Sequence, residues 1–154
     1  MAGAQPIAVA TVADAGEVAR LLAEFRDWMG KDVPTGDELR AGIERIASGG
    51  EGEYLLAGEP RALGVCQLRY RWSVWTAAPD CWLEDLYVSG PARGGGLGRA
   101  LIEAAVERAR ERGCKRIELD VDDANVAALA LYESCGFSTA FKAAGRSLLA
   151  GRRI

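Results

Sequence analysis

Apolar residues recur along this chain with two different periods, and these periods predict its helices and strands. Helical spacing that ends at or next to a glycine occurs in four segments: residues 14–30, 35–49, 97–112 and 125–136. Short runs typical of strands occur in seven: residues 6–11, 53–58, 62–72, 81–88, 115–121, 137–143 and 146–150. The predicted order is β-α-α-β-β-β-α-β-α-β-β. Because no linker or repeat interrupts it, we expect a single domain over residues 1–154.

The order of the predicted elements indicates the fold class. Three consecutive strands with turn signals between them favour an antiparallel meander. The strand–helix–strand unit near residues 81–121 requires a right-handed parallel crossover. We therefore predict an α/β (α+β) fold with a single mixed, mostly antiparallel sheet and helices on both faces. Capping boxes are expected at Asp14–Glu17 and Thr35–Glu38, where a short polar residue precedes a glutamate by three positions.

Composition narrows the classes of function. Hydrophobic residues make up 49% of the chain and charged residues 27%, which is typical of a soluble globular protein. The net charge of −3 does not favour nucleic-acid binding, and no apolar run is long enough for a membrane helix. The N-terminus lacks the pattern of a signal peptide. We therefore predict a cytoplasmic protein that binds neither nucleic acid nor membrane, and leave a homodimer open.

Histidine is absent, which restricts the chemistry available to the chain. Acid–base steps fall to Asp, Glu, Tyr, Cys or Lys. The four cysteines contain no Cys-x-x-Cys pair, so neither a zinc site nor a dithiol is expected: Cys66, Cys81, Cys114 and Cys135. The sequence therefore predicts chemistry without a metal.

Three consecutive glycines, Gly94–Gly96, separate a predicted strand from a predicted helix. Backbone N–H groups at such a turn, together with the helix N-terminus, can converge on an anion. A P-loop is excluded because no Lys-Ser/Thr pair follows the glycines. A Rossmann fingerprint requires a third glycine where this chain has Arg99, although Asp120 lies at a suitable distance for a ribose contact.

The segment Arg93–Gly98 matches Arg/Gln-x-x-Gly-x-Gly/Ala and resembles the coenzyme A pyrophosphate loop of the GNAT superfamily of N-acetyltransferases. The resemblance covers residues 81–137, because "NVAALALYESCGF" from Asn125 is similar to the family's Asn-x-x-Ala-x-x-Leu-Tyr-x-x-x-Gly-Phe helix. It implies acetyl-CoA as co-substrate. The residues that it implies for coenzyme A binding are Leu86, Tyr87, Val88, Arg93, Gly94, Gly95, Gly96, Leu97, Gly98, Arg99 and Asn125.

The strand before the loop has irregular apolar spacing at Leu83, Leu86 and Val88. A β-bulge near Asp85 or Leu86 would bring all three to one face of the sheet. The alternative is that Leu83 or Leu86 packs beneath a helix on the opposite face. In the GNAT family such a bulge directs an N–H group at the thioester carbonyl.

Acetyl transfer to an amine requires a neutral amine, yet only about one alkyl-ammonium in a thousand is deprotonated near pH 7. A nearby carboxylate can take the proton. "Leu-Glu-Asp" resembles the pattern of small-polyamine acetyltransferases, which implies that Glu84 is the base, with Asp85 as the second candidate. The resemblance also implies that Tyr132 protonates the leaving thiolate. Both carboxylates could instead orient the acceptor, and Tyr132 could be a core residue.

The acceptor site is least defined by the sequence. Exposed aromatic residues beside carboxylates would suit a cationic amine, and the candidates are Trp28, Trp72, Trp75 and Asp85; the tryptophans could equally be core residues. We predict an N-acetyltransferase that moves an acetyl group from acetyl-CoA to the primary amine of a small cationic molecule, by direct attack in a ternary complex. The alternatives are a protein N-terminal or lysine acetyltransferase and a non-catalytic acyl-CoA-binding module.

Overall fold

A computed structural model of the chain describes residues 5–140 and 149–154. Its elements follow the predicted order through the fourth helix: β1 Ile7–Val9, α1 Ala15–Trp28, α2 Gly36–Gly49, β2 Gly52–Ala57, β3 Gly64–Ser73, β4 Ala78–Val88, α3 Leu97–Glu111, β5 Ile117–Glu118 and α4 Val126–Ser134. The two predicted final strands, residues 137–143 and 146–150, extend into residues 141–148, which lie outside the described part. Their described ends, 137–140 and 149–150, have no strand structure.

The five strands form one sheet in the order β1-β2-β3-β4-β5. Pairing is antiparallel from β1 to β4 and parallel between β4 and β5. The predicted mixed, mostly antiparallel sheet is confirmed. A single parallel pair at one edge is not the parallel sheet of a dinucleotide-binding domain, so the Rossmann alternative is wrong.

The chain forms two compact units, residues 1–120 and 121–154. The first contains the sheet with α1, α2 and α3, and the second contains α4. No helix in the described part of the chain is both long and apolar enough to cross a membrane. The single domain over residues 1–154 stays a prediction.

Helices cover both faces of the sheet, because side chains alternate between the faces along each strand. On one face, Leu55, Cys66 and Leu68 pack with α3 residues such as Leu101. On the other, Tyr54, Val65 and Tyr87 pack with residues of α1 and α2 such as Val18, Leu21 and Ile43. The glycine loop leads into α3 on one face, while α1 and α2 cover the sheet face that carries Asp85.

A buried carboxylate fixes α3 to the sheet. Glu53 on β2 is 5% exposed and accepts hydrogen bonds from Arg108 Nε at 2.9 Å and Arg108 Nη2 at 2.8 Å. It also accepts from Tyr70 Oη at 2.7 Å and Arg112 Nη2 at 3.2 Å. Burial alone would raise the pKa of Glu53, but these donors lower it below its usual value. The network anchors the helix that begins at the glycine loop.

One of the two predicted capping boxes is confirmed. Thr35 Oγ1 accepts from the Glu38 N–H at 3.3 Å, and Glu38 accepts from the Thr35 N–H at 2.8 Å. The Asp14–Glu17 prediction is wrong. Asp14 ends a 3-10 turn with φ −88° and ψ 2°, and its carboxylate accepts instead from Thr11 at 2.8 Å and 2.9 Å. Because Asp14 lacks the extended backbone of an N-cap, its side chain makes no capping bond to α1.

Candidate active site

A β-bulge interrupts the pairing of β3 with β4. Gln67 lies opposite Asp85 while Leu68 lies opposite Leu83, so Glu84 is the extra residue on β4. The predicted bulge is confirmed, one residue before the predicted position. An extra residue interrupts the regular pairing and bends the strand. Glu84 and Asp85 therefore lie at this bend rather than within a regular ladder.

The bulge explains the irregular spacing of the three apolar residues. Leu83, Leu86 and Val88 all pack against the core beneath α3. Tyr87 packs on the opposite face, with α1 and α2. The alternative, in which Leu83 or Leu86 faces the other side, is excluded.

The second half of β4 is an edge of the described sheet. Pairing with β5 is limited to Cys81 with Ile117 and Trp82 with Glu118. From Leu83 to Val88, β4 therefore has β3 on one side and no described strand on the other. Its backbone N–H and C=O groups on that side are available to a ligand, except the Val88 carbonyl, which accepts a hydrogen bond from Arg93. Three of the residues predicted to bind coenzyme A lie on this edge: Leu86, Tyr87 and Val88.

The glycine loop has the geometry of an anion site. Gly94 and Gly96 have φ of +80° and +85°, and a Cβ atom on either would meet no atom within 4 Å. Within the described residues, the N–H groups of Gly94–Gly96 have no hydrogen-bond partner. The loop leads directly into the N-terminus of α3, whose first N–H groups also lack helical partners. An open surface with unpaired donors fits a pyrophosphate.

The three residues that follow the glycine loop differ in how exposed their side chains are. Leu97 begins α3 and is 4% exposed, so its side chain anchors the helix in the core. Gly98 lies in the first turn of α3, and Arg99 is exposed there. Of these three residues, Leu97 contributes only its backbone to the loop surface.

Arg93 connects the loop to α1. Its Nε–H donates to the Val88 carbonyl at 3.0 Å. Its guanidinium lies 5.5 Å from the ring centre of Trp28 and 5.6 Å from that of Tyr87, in cation–π geometry. Tyr87 in turn stacks on Phe25 at 5.2 Å. Trp28, predicted to line the acceptor site, therefore lies against the loop arginine at the end of α1.

Asp85 is a half-buried carboxylate with an altered pKa. Burial, followed by the charges of Glu84 and Asp120, raises the pKa of Asp85 to about 6, against the opposing effect of Lys31. Glu84 beside it is exposed. A base whose pKa lies close to neutral pH is suited to take a proton from an ammonium group.

The two tryptophans of the β3–β4 hairpin lie away from these carboxylates. Trp72 pairs with Pro79, five residues along β3 from the Gln67–Asp85 pair. At about 3.3 Å per residue this is roughly 17 Å along the strand. Trp72 is 67% exposed and Trp75 is 93% exposed. The structure therefore does not bring Trp72 and Trp75 together with Asp85.

Asn125 and Tyr132 belong to the second unit. Asn125 Oδ1 accepts from the Ala128 N–H at 3.2 Å, so Asn125 caps α4. The Tyr132 ring packs edge-to-face on Phe137 with centroids 5.9 Å apart. The predicted roles of these residues toward coenzyme A remain predictions.

Sequence analysis did not identify Tyr54 and Gln67 as neighbours of Asp85. They lie opposite each other on β2 and β3, and Gln67 lies opposite Asp85 on β4. Both are buried, at 2% and 6% exposure. The one available signal was a glutamine within the apolar stretch "GVCQL", since a buried amide requires a partner.

Comparisons with known proteins point to one family. The sequence model described as "Acetyltransferase (GNAT) family" matches residues 19–137. Thialysine N-epsilon-acetyltransferase of Caenorhabditis elegans is 35% identical over 124 residues, which are 80% of this chain and 75% of that protein. A solved structure from Arthrobacter sp. FB24, assigned to the acetyltransferases, superposes with a TM-score of 0.90 at 34% identity and covers 100% of this chain and 99% of its own.

A further relative matches only locally. Mycothiol acetyltransferase of Beutenbergia cavernae is 45% identical over 69 residues. This match covers 43% of the present chain and spans 23% of that enzyme's length. It therefore concerns a shared segment and not the whole enzyme.

Proposed function

Because this chain belongs to the GNAT family of acetyltransferases, we propose that it transfers an acetyl group from acetyl-CoA to the primary amine of a small cationic molecule, by direct attack in a ternary complex. The observation that carries the proposal is the half-buried carboxylate of Asp85, at a bulge beside an open strand edge. The alternative of a non-catalytic acyl-CoA-binding module is set aside by family membership.

The donor side is assigned to the loop and the strand edge. Acetyl-CoA supplies the acetyl group as a thioester. The unpaired N–H groups of Gly94–Gly96 and the first turn of α3 would hold its pyrophosphate. The backbone groups of residues 86–88 that face away from β3, other than the Val88 carbonyl, would hold the pantetheine arm. This assignment is supported by the absence, within the described residues, of any protein partner for these loop N–H groups.

On the acceptor side, Asp85 is proposed as the base. An alkyl-ammonium with a pKa of about 10.4 must lose its proton before the nitrogen can attack. The raised pKa and the partial burial of Asp85 favour it over Glu84, which resemblance alone had suggested. Glu84 then adds negative charge that attracts the ammonium group. Tyr132 is the proposed acid, since a phenol can protonate a departing thiolate whose own pKa is near 8.5.

A small acceptor is favoured over a protein. The Caenorhabditis elegans relative, matched over most of both chains, acts by its name on thialysine. Trp28 supports neither kind of acceptor, because the Arg93 guanidinium already lies 5.5 Å from the centre of its ring. A protein N-terminus or lysine is the other outcome that a screen of acceptors would reveal.

Paired variants of the two carboxylates test the proposal. We expect Asp85→Asn to lower kcat/KM by about 10²- to 10⁴-fold near pH 7, because it removes the base. Activity should recover in part at high pH, where the amine is already neutral. The acidic limb of the pH–rate profile, near pH 6 in the wild type, should disappear. Glu84→Gln is the matched control and should cost less than Asp85→Asn.

A different result with these two variants would identify Glu84 as the base. If Glu84→Gln proves the more damaging change and Asp85→Asn keeps the acidic limb, the base is Glu84 and the assignment of Asp85 is wrong.

A further inference from the structure

Two aromatic residues near the end of α1 lie against β4 and the arginine that precedes the glycine loop. Phe25 and Trp28 are three residues apart, so their side chains leave the same face of the helix. Phe25 stacks on Tyr87 of β4, with ring centres 5.2 Å apart and an angle of 23° between the rings. The guanidinium of Arg93 lies 5.5 Å from the centre of the Trp28 ring. The last turns of α1 therefore contact both the strand and the loop of the proposed donor site.

A hydrogen bond from the same helix fixes the backbone between the strand and the loop. Ser89, which follows β4, is 7% exposed, and its Oγ–H donates to Glu24 Oε2 on α1 at 2.7 Å. Its N–H donates to the Leu63 carbonyl at 2.8 Å. Glu24 also pairs with Arg20, which donates to the Ala62 carbonyl at 2.6 Å. The backbone that enters the glycine loop is therefore fixed to α1 and to the segment before β3.

The side chain of Arg93 is ordered but not neutralised. Its Nε–H donates to the Val88 carbonyl at 3.0 Å, and the Tyr87 ring centre lies 5.6 Å from its guanidinium, in addition to the Trp28 ring. Within residues 5–140 and 149–154, no carboxylate pairs with Arg93 and its Nη groups have no hydrogen-bond partner. The donors on Nη1 and Nη2 and the positive charge therefore remain for a ligand.

The position of this guanidinium suits a phosphate group of the acetyl donor. Arg93 is hydrogen-bonded to a carbonyl on the open edge of β4 and directly precedes Gly94, the first glycine of the loop. A guanidinium presents paired N–H donors that match two oxygens of a phosphate. Its charge would repel an ammonium group. The surroundings of Trp28 therefore suit the anionic donor and not a cationic acceptor.

We propose that Trp28 is a positioning residue for the acetyl donor: it holds the Arg93 guanidinium where its Nη groups bind a phosphate of coenzyme A at the glycine loop. Trp28 acts through Arg93 and touches neither the thioester nor the amine. Because the two rings and the Val88 carbonyl order Arg93 in advance, less side-chain freedom is lost when the phosphate binds. The inference rests on the proposed function for the identity of the donor, and it extends the donor site to the last turn of α1.

Calorimetry with coenzyme A tests the role of Trp28 without turnover. We expect Trp28→Ala to weaken binding by about 3- to 10-fold, because the cation–π contact is lost and the ligand must then order Arg93. Trp28→Tyr keeps an aromatic ring and should remain within about twofold of the wild type. Trp75→Ala is the matched control, since it removes a tryptophan that is 93% exposed in the turn after β3, and it should keep the wild-type affinity. Equal or tighter binding by Trp28→Ala would overturn the inference.

A double-mutant cycle shows whether Trp28 acts through Arg93. Arg93→Ala should weaken coenzyme A binding by about 10- to 100-fold, because it removes the charge and the paired donors. Once Arg93 is absent, Trp28→Ala should change the affinity by less than about twofold. A loss of the same size with and without Arg93 would contradict the inference.

The melting temperature separates positioning from a structural role. Trp28 is 58% exposed, so we expect Trp28→Ala to melt within about 3 °C of the wild type. A lower melting temperature with an unchanged affinity for coenzyme A would show that Trp28 serves the fold, and would overturn the inference.

Failure of this inference and failure of the proposed function give different results. If the wild type binds coenzyme A but acetylates no amine, the proposed function fails, while weaker binding by Trp28→Ala still supports the inference. If Trp28→Ala keeps its affinity for coenzyme A and raises the KM for the amine, Trp28 belongs to the acceptor side and the inference alone fails. If the wild type does not bind coenzyme A, both fail.

Discussion

At the scale of single residues, the burial of the Asp85 carboxylate lowers the stability of the folded protein near neutral pH, and the proposed role of Asp85 as the base would account for this cost. Its ordinary pKa is 3.8, and burial beside Glu84 and Asp120 raises it to about 6 in the folded protein. Between these two values the folded state binds more protons than the unfolded state, so the free energy of unfolding falls as the pH rises through this window. Above pH 6 the folded protein holds a charge that its surroundings disfavour.

Asp85→Asn should therefore stabilise the protein while it reduces activity. At pH 7.5 we expect a gain on the order of 1–3 kcal/mol, seen as a melting temperature higher by about 3–8 °C. The gain should vanish below about pH 4, where the wild-type carboxyl is also neutral. Glu107→Gln, which removes an exposed carboxylate on α3, is the control and should change stability by less than about 0.5 kcal/mol. Equal melting temperatures of Asp85→Asn and the wild type at pH 7.5 would contradict this account.

At the scale of elements, the glycine loop and α3 act together. Among residues 5–140 and 149–154 the N–H groups of the loop have no partner, and the Glu53 network fixes the helix that follows the loop. Gly96 precedes this helix and Gly113 follows it, and both have a left-handed backbone, with φ of +85° and +74°. A Cβ atom added at either position would lie more than 4 Å from neighbouring atoms. A substitution at either position therefore carries a similar strain, of about 1–2 kcal/mol.

This similarity provides a matched pair of variants. Gly96→Glu should abolish acetyl-CoA binding in calorimetry, because a side chain and a negative charge then occupy the anion site. Gly113→Glu should lose a similar amount of stability and keep the wild-type affinity. If both variants bind acetyl-CoA equally well, the loop is not the pyrophosphate site.

Several elements could be predicted from local signals, and others could not. The spacing of Leu83, Leu86 and Val88 indicated the bulge, because three apolar residues had to share one face. Asp14 misled because a 3-10 turn before α1 moved the cap to Thr11. The spacing Thr11-x-x-Asp14 could have indicated this turn. Trp72 could not be assigned a place, since its distance from the carboxylates depends on the register of the hairpin.

At the scale of the whole molecule, one side of the proposed site could be predicted from the sequence and the other could not. The proposed donor side, apart from Asn125, is continuous in sequence from residue 86 to residue 99, and resemblance could suggest it. The surroundings of Asp85 are assembled from β2, β3 and β4, so that Tyr54, Gln67 and Asp85 become neighbours only through strand pairing. Such a row has no sequence motif, and its members lie more than ten residues apart. The substrate is therefore the property that the sequence predicted least well.

The proposed function requires that this fold bind an acetyl donor and a primary amine together and transfer the acetyl group between them. The most direct measurement incubates the purified chain with acetyl-CoA and a panel of amines: lysine, 1,5-diaminopentane, an aminoglycoside and a peptide with a free N-terminus. Release of the coenzyme A thiol is followed, and the acetylated product is identified by mass. We predict amine-dependent thiol release, matched by an equal amount of N-acetylated small amine. No release above the rate without amine, or release with the peptide alone, would contradict the account.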